Sequence, residues 1–491
     1  MNQSQTAQRI PHDGFPRLHW DTLLAVVCLL DVGSIVKLMM TCKSLQTQLR
    51  QSRYVWRRAC YLLADEEFLA PHSLLLDSMT TDDLYRCATR PLRLRTAIIN
   101  DKIPPLYPRR LVFRYPREIG WRWHNRPSHL LPGGRWLLDS ASDYEYVHLF
   151  CWDLSLGPPE ASRQPVATIK AGLPGDENIQ LQIQYSPIHQ RAAVLLSVDD
   201  LHDEEFHHKE VFHLIWTTGD QVPQFVSVAR LTCEDADGDG MELCDDIVSW
   251  YNNTCVTLWN WQSDTWAKIG YAAYFSESIS HAWVQSQYVF LLTYRADSVM
   301  VLGLPPMEPT AQLASVHPVS GVEWSLPMVI HSLRYSSHIT LGGWKPTQHR
   351  LYNVRVHGTR GSPEPDSCFF VDTRSVLDGV PPRIIHPFTS FPIHPRSHAH
   401  HLASDLLITM GSLPHHQPDG ATFHMRAYPS SESTLFPAPA TLRTDIALNR
   451  WHKAYLTSDP CAVSGTFLVN EWHREKGAME WLPSVTLFMF N

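Results

Sequence analysis

The sequence lacks a long apolar run of the kind that crosses a membrane. Its longest unbroken apolar stretch, Leu23 to Leu30, has eight residues, far below the about 20 that span a bilayer. The first 20 residues contain two prolines and several charged side chains, and no basic segment leads into an apolar block. Because this start is not typical of a secretory signal, we expect no membrane partner and a location in the cytoplasm or nucleus.

The sequence also lacks a basic surplus and a cysteine framework. Its 41 basic and 49 acidic residues give a net charge of −8, so it has no electrostatic footprint for nucleic acid or for an anionic membrane. The ten cysteines are scattered without a CxxC pair, which indicates free thiols in a reducing compartment. Hydrophobic residues make up 44% of the chain, as in a folded protein with a well-buried core.

Catalytic motifs are absent from the sequence as well. It contains no GxSxG, no GxxxxGK[ST], no HExxH and no glycine-rich dinucleotide fingerprint. We therefore expect a protein that is not an enzyme, has no catalytic residues and needs no cofactor or metal.

Two kinds of cluster resemble metal sites without matching them. Residues 235–246 place aspartates near calcium-loop positions, but Asp246 is too short for the bidentate twelfth ligand and Glu242 replaces an apolar residue. The histidine-rich stretches 202–210, 394–401 and 415–416 lack zinc-ligand spacing. We interpret all of them as surface loops.

What the sequence does contain, near its N-terminus, is a set of short amphipathic helices. Asp21 can cap the first, the turn at 31–34 can cap the second, and Thr41 can start the third. Three helices in about thirty residues cannot bury this much apolar surface among themselves. Either the rest of the chain or a partner must cover it.

The segment from Leu18 to Cys60 resembles an F-box. It has the acidic residue and paired leucines of the first helix, a "TCKSL" helix and a closing "WRR", although His19-Trp20 stand where proline is common. The resemblance implies binding to a Skp-type adaptor and, through it, to a cullin. The adaptor contacts that it implies are Leu18, Leu23, Leu24, Val27, Leu30, Ile35, Leu38, Cys42, Leu45 and Trp56.

The F-box is predicted at 15–62, after a disordered start at 1–14. A helical linker is predicted at 63–110, in which "TTDDLYRCATRPLRLRTAI" is similar to linkers of fungal F-box proteins and should end its helix near Pro91.

From residue 111 to 491 the pattern changes to short apolar runs separated by turn residues, which is typical of many strands. The unit from Leu131 to Gly157, ending in Trp152-Asp153, resembles a WD-type propeller blade. Seven hairpins at intervals of about 40 to 60 residues predict a β-propeller of six to eight blades, with seven the best guess. The alternative is a pair of β-sandwiches. The fold class is thus α+β and multidomain. We expect tryptophan cores in the hairpins at Trp136, Trp152, Trp216, Trp259 and Trp261.

The resemblances together imply the substrate-recognition subunit of a Skp–cullin–F-box ubiquitin ligase, whose propeller binds an unknown target protein. The alternative is an interaction scaffold whose N-terminal helices pack on its own core. A weaker third option is an enzyme that uses the propeller channel.

Overall fold

The structure is a computed structural model, and it describes the helices, the strands and some of the turns. It describes residues 19–66, 69–70 and 72–99 and, after them, the strands whose first and last residues are given below. The described turn residues of the strand region are 131–135, 154–155, 164–166, 222, 246, 252, 254, 261–264 and 304–307. The predicted disorder at 1–14, and Leu18, lie outside the described residues.

Five helices make up the described N-terminal part. They are α1 Trp20–Val27, α2 Val32–Met39, α3 Lys43–Gln51, α4 Arg53–Glu66 and α5 Thr81–Ile99. The second helix is capped as predicted, because the Asp31 carboxylate accepts hydrogen bonds from the backbone N–H of Ser34 at 2.9 Å and its hydroxyl at 2.6 Å. The first is not: it begins at Trp20, so Asp21 lies inside its first turn.

The chain divides into two compact units. The helical unit comprises residues up to 66 together with 75–92, and the strand unit comprises 67–74 and 93–491. Because residues 67–74 belong to the strand unit, the chain passes between the units more than once.

Helix α5 differs from its predicted end. It runs through Pro91 to Ile99, although proline removes one intrahelical hydrogen bond. Leu84, Cys87 and Ala88 are buried in the turns before the proline, so packing holds the helix on that side. The division between the two units falls at Leu92, and Pro91 therefore marks a unit boundary rather than a helix end.

The described strands form seven sheets that follow one another along the chain. The first is β2 His129–Leu130, β3 Trp136–Ser142, β4 Tyr146–Asp153 and β5 Ala167–Pro174. The second is β6 Ile179–Ser186, β7 Arg191–Asp199, β8 His207–Trp216 and β9 Pro223–Cys233. The third is β10 Gly240–Cys244, β11 Ile247–Tyr251, β12 Cys255–Asn260 and β13 Thr265–Gly270, extended by β17 Glu308–Pro309 and β18 Val316–Pro318.

The remaining sheets continue this order. The fourth is β14 Ile279–Gln285, β15 Tyr288–Thr293, β16 Ser298–Gly303 and β19 Gly321–Ser325. The fifth is β20 Leu351–Val356, β21 Ser367–Asp372 and β22 Arg383–Ile385, and the sixth is β23 His398–Ala403, β24 Leu406–Ser412, β25 Ala421–Pro429 and β26 Thr441–Ile446. The last joins β27 Lys453–Leu456, β28 Thr466–Arg474 and β29 Trp481–Phe490 to β1 Leu106–Leu111.

The first strand of the unit therefore completes its last sheet. β1 pairs antiparallel with β29, from Leu106 opposite Phe490 to Leu111 opposite Val485. Such closure leaves the series of sheets without a free end, as in a β-propeller. It also means that residues 106–110, expected in the helical linker, form a strand.

Neighbouring sheets share hydrophobic layers. On β7, Ala192, Val194 and Leu196 pack toward the first sheet, whereas Ala193 and Leu195 pack toward the third. The third and fourth sheets share a further layer, which includes Val256, Leu258, Val289 and Leu291. Because side chains alternate along a strand, a sheet buried on both faces has an apolar residue at nearly every position.

The propeller prediction is confirmed by this series of sheets, and each predicted hairpin lies in one of them. The predicted tryptophan cores are confirmed too: Trp136, Trp152, Trp259 and Trp261 are buried, and Trp216 is half-buried against the first layer.

Candidate interaction surface of the helices

The predicted adaptor contacts divide into two groups in the helical unit. Five of them are buried within the chain itself: Leu23, Val27, Ile35, Leu45 and Trp56. Leu24, Leu30 and Leu38 are half-buried and Cys42 is exposed, so these four reach the surface. Adaptor binding by any of the ten stays a prediction.

The buried group holds the short helices together. The Trp56 ring is fully buried, its indole N–H donates to the Leu49 carbonyl at 2.9 Å, and its edge meets the Tyr85 ring with centroids 4.8 Å apart. The Leu49 carbonyl, near the end of α3, thus accepts from the Trp56 indole as well as from the Ser52 backbone N–H at 3.1 Å. Trp56 therefore joins α3, α4 and α5.

Arginines of α4 fix the connection that precedes α5. Arg53 donates to the backbone carbonyls of Leu76, Asp77 and Met79, and Arg57 forms an ion pair with Asp77 at 2.7 Å. The Arg53 bonds satisfy carbonyl groups that lie between two helices and therefore have no intrahelical donor. The same connection ends in a cap for α5, because the Thr80 hydroxyl and the Asp83 carboxylate bond to each other and to each other's backbone N–H.

Large apolar side chains remain exposed although this interior is filled. Leu29 is 86% exposed, Met40 is 80% exposed and Val26 is 49% exposed. They lie in the last turn of α1 and just after the ends of α1 and α2. Sequence reasoning missed Leu29 and Met40, because helical periodicity assigns residues to a face only within a helix, and both follow one. Exposed apolar side chains mark a binding surface where they adjoin one another, so these three are the candidate contacts of the helical unit.

Cys28 lies next to one of these residues. Burial raises the pKa of its thiol, and the positive charge of Arg58 acts against that rise.

In the strand unit, the predicted WD-type hairpin is held by a buried ion pair. Arg135 donates to both carboxylate oxygens of Asp153 at 2.6 to 3.1 Å, and both side chains are buried. Burial acts to raise the pKa of Asp153, but hydrogen bonds from Arg135 and Ser155 together lower it below its usual value. The aspartate of the Trp152-Asp153 dipeptide is therefore structural.

Residues 69–73 are anchored on the same hairpin. The Ala70 N–H donates to the Pro132 carbonyl at 2.9 Å, and Arg135 donates to the His72 carbonyl at 2.5 Å. Gly133 has φ +100°, and a Cβ there would lie 2.3 Å from the Ser73 Cβ. Only glycine combines this backbone conformation with such a close approach.

The other clusters noted in the sequence lie partly outside the described residues. This holds for 235–239 and 245 of the acidic stretch, for 202–206 and 394–397 of the histidine-rich stretches, and for 415–416. The prediction of surface loops is wrong for the described parts, because 207–210 lie in β8, 240–244 in β10 and 398–401 in β23. Within the part of the chain that is described, no group of three His, Cys, Asp or Glu side chains could hold a metal ion. Nor is any described helix both long enough and apolar enough to span a membrane.

No protein-family model matches the chain, and no curated protein matches it. Solved structures similar to it include the WD40 domain of SCAP from fission yeast, at 10% identity and a TM-score of 0.34, covering 73% of this chain and 82% of that one. Hsv2 of Kluyveromyces lactis has 10% identity and a TM-score of 0.35, with coverage of 74% and 98%. The Dos1 propeller has 10% identity and a TM-score of 0.33, with coverage of 72% and 76%.

These likenesses are too distant to carry a conclusion about function. The class of the chain, a β-propeller preceded by a few helices, rests on its own strand order and on the layers between its sheets.

Proposed function

We propose that the chain is a fungal-type F-box protein, the substrate-recognition subunit of a Skp–cullin–F-box ubiquitin ligase. The observation that carries the proposal is the exposure of Val26, Leu29 and Met40, three large apolar side chains of the helical unit. The F-box resemblance of residues 18–60 supplies the partner, a Skp-type adaptor that binds a cullin.

The physical argument starts from the filled interior of the unit. Leu23, Val27, Ile35 and Leu49 form an interior that does not include the exposed residues. Fully burying a side chain of this size contributes about 1.5–3 kcal/mol. Three such residues would therefore provide several kcal/mol toward association with an adaptor, part of which offsets the loss of freedom on binding.

The strand unit supplies the second half of the proposal. We infer seven blades, one from each described sheet, and a target protein bound by the loops or edges of these blades. The chain would catalyse no bond change and need no cofactor. It would act in the cytoplasm or nucleus by holding the target near a ubiquitin-charged enzyme, which raises the effective concentration of the reacting groups.

Capture of a purified Skp-type adaptor by the full chain tests this proposal. The informative variant is Leu29→Asp with Met40→Asp, because both side chains are exposed and their replacement leaves the interior intact. We expect adaptor binding to weaken at least about 100-fold. The matched control is Gln48→Asp, an exposed position on α3, which should bind as the wild type does.

A second candidate function, a non-catalytic interaction scaffold without an adaptor, is favoured by one observation. Half of the predicted adaptor contacts are buried within the helical unit itself, as expected if its helices serve only their own core. If the wild-type chain captures no Skp-type adaptor although circular dichroism shows that its helices are folded, the scaffold function is favoured.

A further inference from the structure

Two cysteines lie together in the interior of the helical unit. Cys60 on α4 is fully buried and Cys87 on α5 is 3% exposed, and both are free thiols. The other described cysteines of this unit differ from them, since Cys28 is half-buried and Cys42 is exposed. The unit therefore keeps a pair of thiols out of solvent in its one small interior.

The two thiols meet where α4 packs on α5. The Cys60 thiol donates to the Leu84 carbonyl at 3.5 Å, and that carbonyl belongs to the turn of α5 that contains Cys87. A hydrogen bond also joins the side chains of Cys60 and Cys87. One turn earlier on α4, the Trp56 ring meets the Tyr85 ring edge-on. Contacts on both helices therefore hold the cysteine pair together.

The backbone of α5 is weakened at the same place. Pro91 lies four residues after Cys87 inside the helix. It has no N–H to donate to the Cys87 carbonyl, and its ring crowds that carbonyl. A helix with this defect bends more readily than a regular one. A small shift of α5 can thus bring the hydrogen-bonded sulfurs to the about 2.05 Å of an S–S bond.

The two thiols differ in how readily they ionise. Their mutual hydrogen bond and then burial raise the pKa of Cys60. The same hydrogen bond lowers the pKa of Cys87 against the effect of burial, and the positive charge of Arg90 acts with it. Because the thiolate is the form that attacks an oxidant, Cys87 would react first and Cys60 second.

We propose that Cys60 and Cys87 form a reversible redox pair, which hydrogen peroxide converts to a disulfide that joins α4 to α5. The Cys87 thiolate attacks one peroxide oxygen, releases hydroxide and becomes a sulfenic acid. The Cys60 sulfur then displaces the sulfenic oxygen as water and completes the S–S bond. Overall, two thiols and one peroxide give one disulfide and two waters.

Reduction returns the pair to its thiol form. Two molecules of glutathione exchange with the disulfide in turn and leave as one oxidised glutathione. Disulfides that form in a reducing compartment are usually transient and redox-sensing. Because both thiols are buried, the oxidant must be small and must enter during local opening of the unit.

The disulfide would stabilise the helical unit. It closes a loop over residues 61–86, which restricts the opened chain, so α4 and α5 should open less often in the oxidised protein. Leu29 and Met40 lie outside this loop. The redox pair therefore goes beyond the proposed function and does not depend on adaptor binding.

Mass spectrometry of the full chain tests the pair directly. The folded chain is treated with hydrogen peroxide, its remaining thiols are alkylated, and it is digested with trypsin without reduction. Cleavage after arginine places Cys60 and Cys87 in separate peptides, 59–86 and 87–93. We expect these peptides to be joined, lighter than their sum by two hydrogen atoms, and to separate on treatment with dithiothreitol.

Hydrogen exchange of the reduced and the oxidised chain measures the consequence. Exchange in α4 and α5 should slow at least about tenfold on oxidation. Cys60→Ala should give no joined peptides and no change of exchange with peroxide. The matched control is Cys28→Ser, at a half-buried thiol of the same unit, which should respond to peroxide as the wild type does.

Three results on the wild-type chain would overturn the proposal. They are separate peptides 59–86 and 87–93 although peroxide oxidises the exposed Cys42, a joining of Cys60 or Cys87 to a different cysteine, and equal exchange of α4 and α5 in both redox states. Joined peptides that form only in urea would also overturn it, since the pair would then be inert in the folded chain. Adaptor capture on the same preparations tests the proposed function separately.

Discussion

The two units of this chain bury their apolar residues by different arrangements. In the strand unit, each of the central sheets packs on both faces, so neighbouring residues such as Leu195 and Leu196 enter different hydrophobic layers. The helical unit has one small interior around Trp56 and leaves Leu29 and Met40 in solvent. An exposed apolar residue is therefore stronger evidence for a binding surface in the helical unit, because the interior of that unit is filled without it.

The largest expected effect is the loss of the helical interior. Trp56→Ala removes a fully buried ring and its bond to Leu49, which should destabilise the unit by about 3–5 kcal/mol. Hydrogen exchange measured by mass spectrometry should show faster exchange in α3, α4 and α5 and unchanged exchange in β6–β9. The control is Tyr54→Ala, an exposed neighbour of Trp56, which should leave hydrogen exchange unchanged in both units. If Trp56→Ala accelerated exchange equally in both units, the expectation that the units are stable separately would be contradicted.

Breaking the buried ion pair should have a comparable effect in the strand unit. Asp153→Asn leaves Arg135 without its carboxylate, at a cost of about 3–5 kcal/mol at neutral pH. The folded pKa of Asp153 is lowered, so its contribution is complete above the ordinary value of about 3.9 and is lost as pH falls through the folded pKa.

Urea unfolding of the wild type and of Asp153→Asn as a function of pH measures this contribution. The free energies of unfolding of the two chains should differ most at neutral pH and should become equal in acid. A difference that stays constant down to acid pH would show that the aspartate acts through shape rather than charge.

Two-sided packing predicts similar costs for adjacent residues. Leu195→Ala and Leu196→Ala should each destabilise the strand unit by about 2–5 kcal/mol, because both side chains are fully buried, in different layers. Urea unfolding followed by tryptophan fluorescence measures both. If one substitution were nearly neutral, one face of the second sheet would have to be open to solvent.

The smallest expected effect concerns the anchor of residues 69–73. Gly133→Ala places a Cβ against Ser73 at a positive φ, which should cost about 1–2 kcal/mol. Adding Ser73→Gly removes the clash but not the backbone strain, and so should restore part of the loss. Full restoration, measured by thermal unfolding, would show that the conformation of Gly133 costs nothing.

The sequence predicted the short helices and the hairpins, although not the start of α1 or the end of α5. Each predicted hairpin, such as the one from Trp136 to Asp153, contains both strands and the turn between them, and alternating apolar residues identify it. It could not predict pairings between distant residues, such as β1 with β29 or β17 with β13. For the same reason, the sequence could not predict that β9 pairs with no described strand on its outer side.

The candidate surface was predictable only in part. Helical spacing located Leu23, Val27 and Ile35 on apolar faces, but spacing does not tell whether the chain itself or a partner covers a face. In the structure Leu23, Val27 and Ile35 are buried, as are Trp56 of α4 and Leu84 of α5. Leu29 and Met40 are exposed.

The most direct test of the account is adaptor capture by the wild-type chain and by Leu29→Asp with Met40→Asp, both folded. The account predicts a stable complex with the wild type, weakened at least about 100-fold in the variant. Equal capture of the adaptor by both chains would contradict the assignment of the exposed helical surface as the adaptor-binding site.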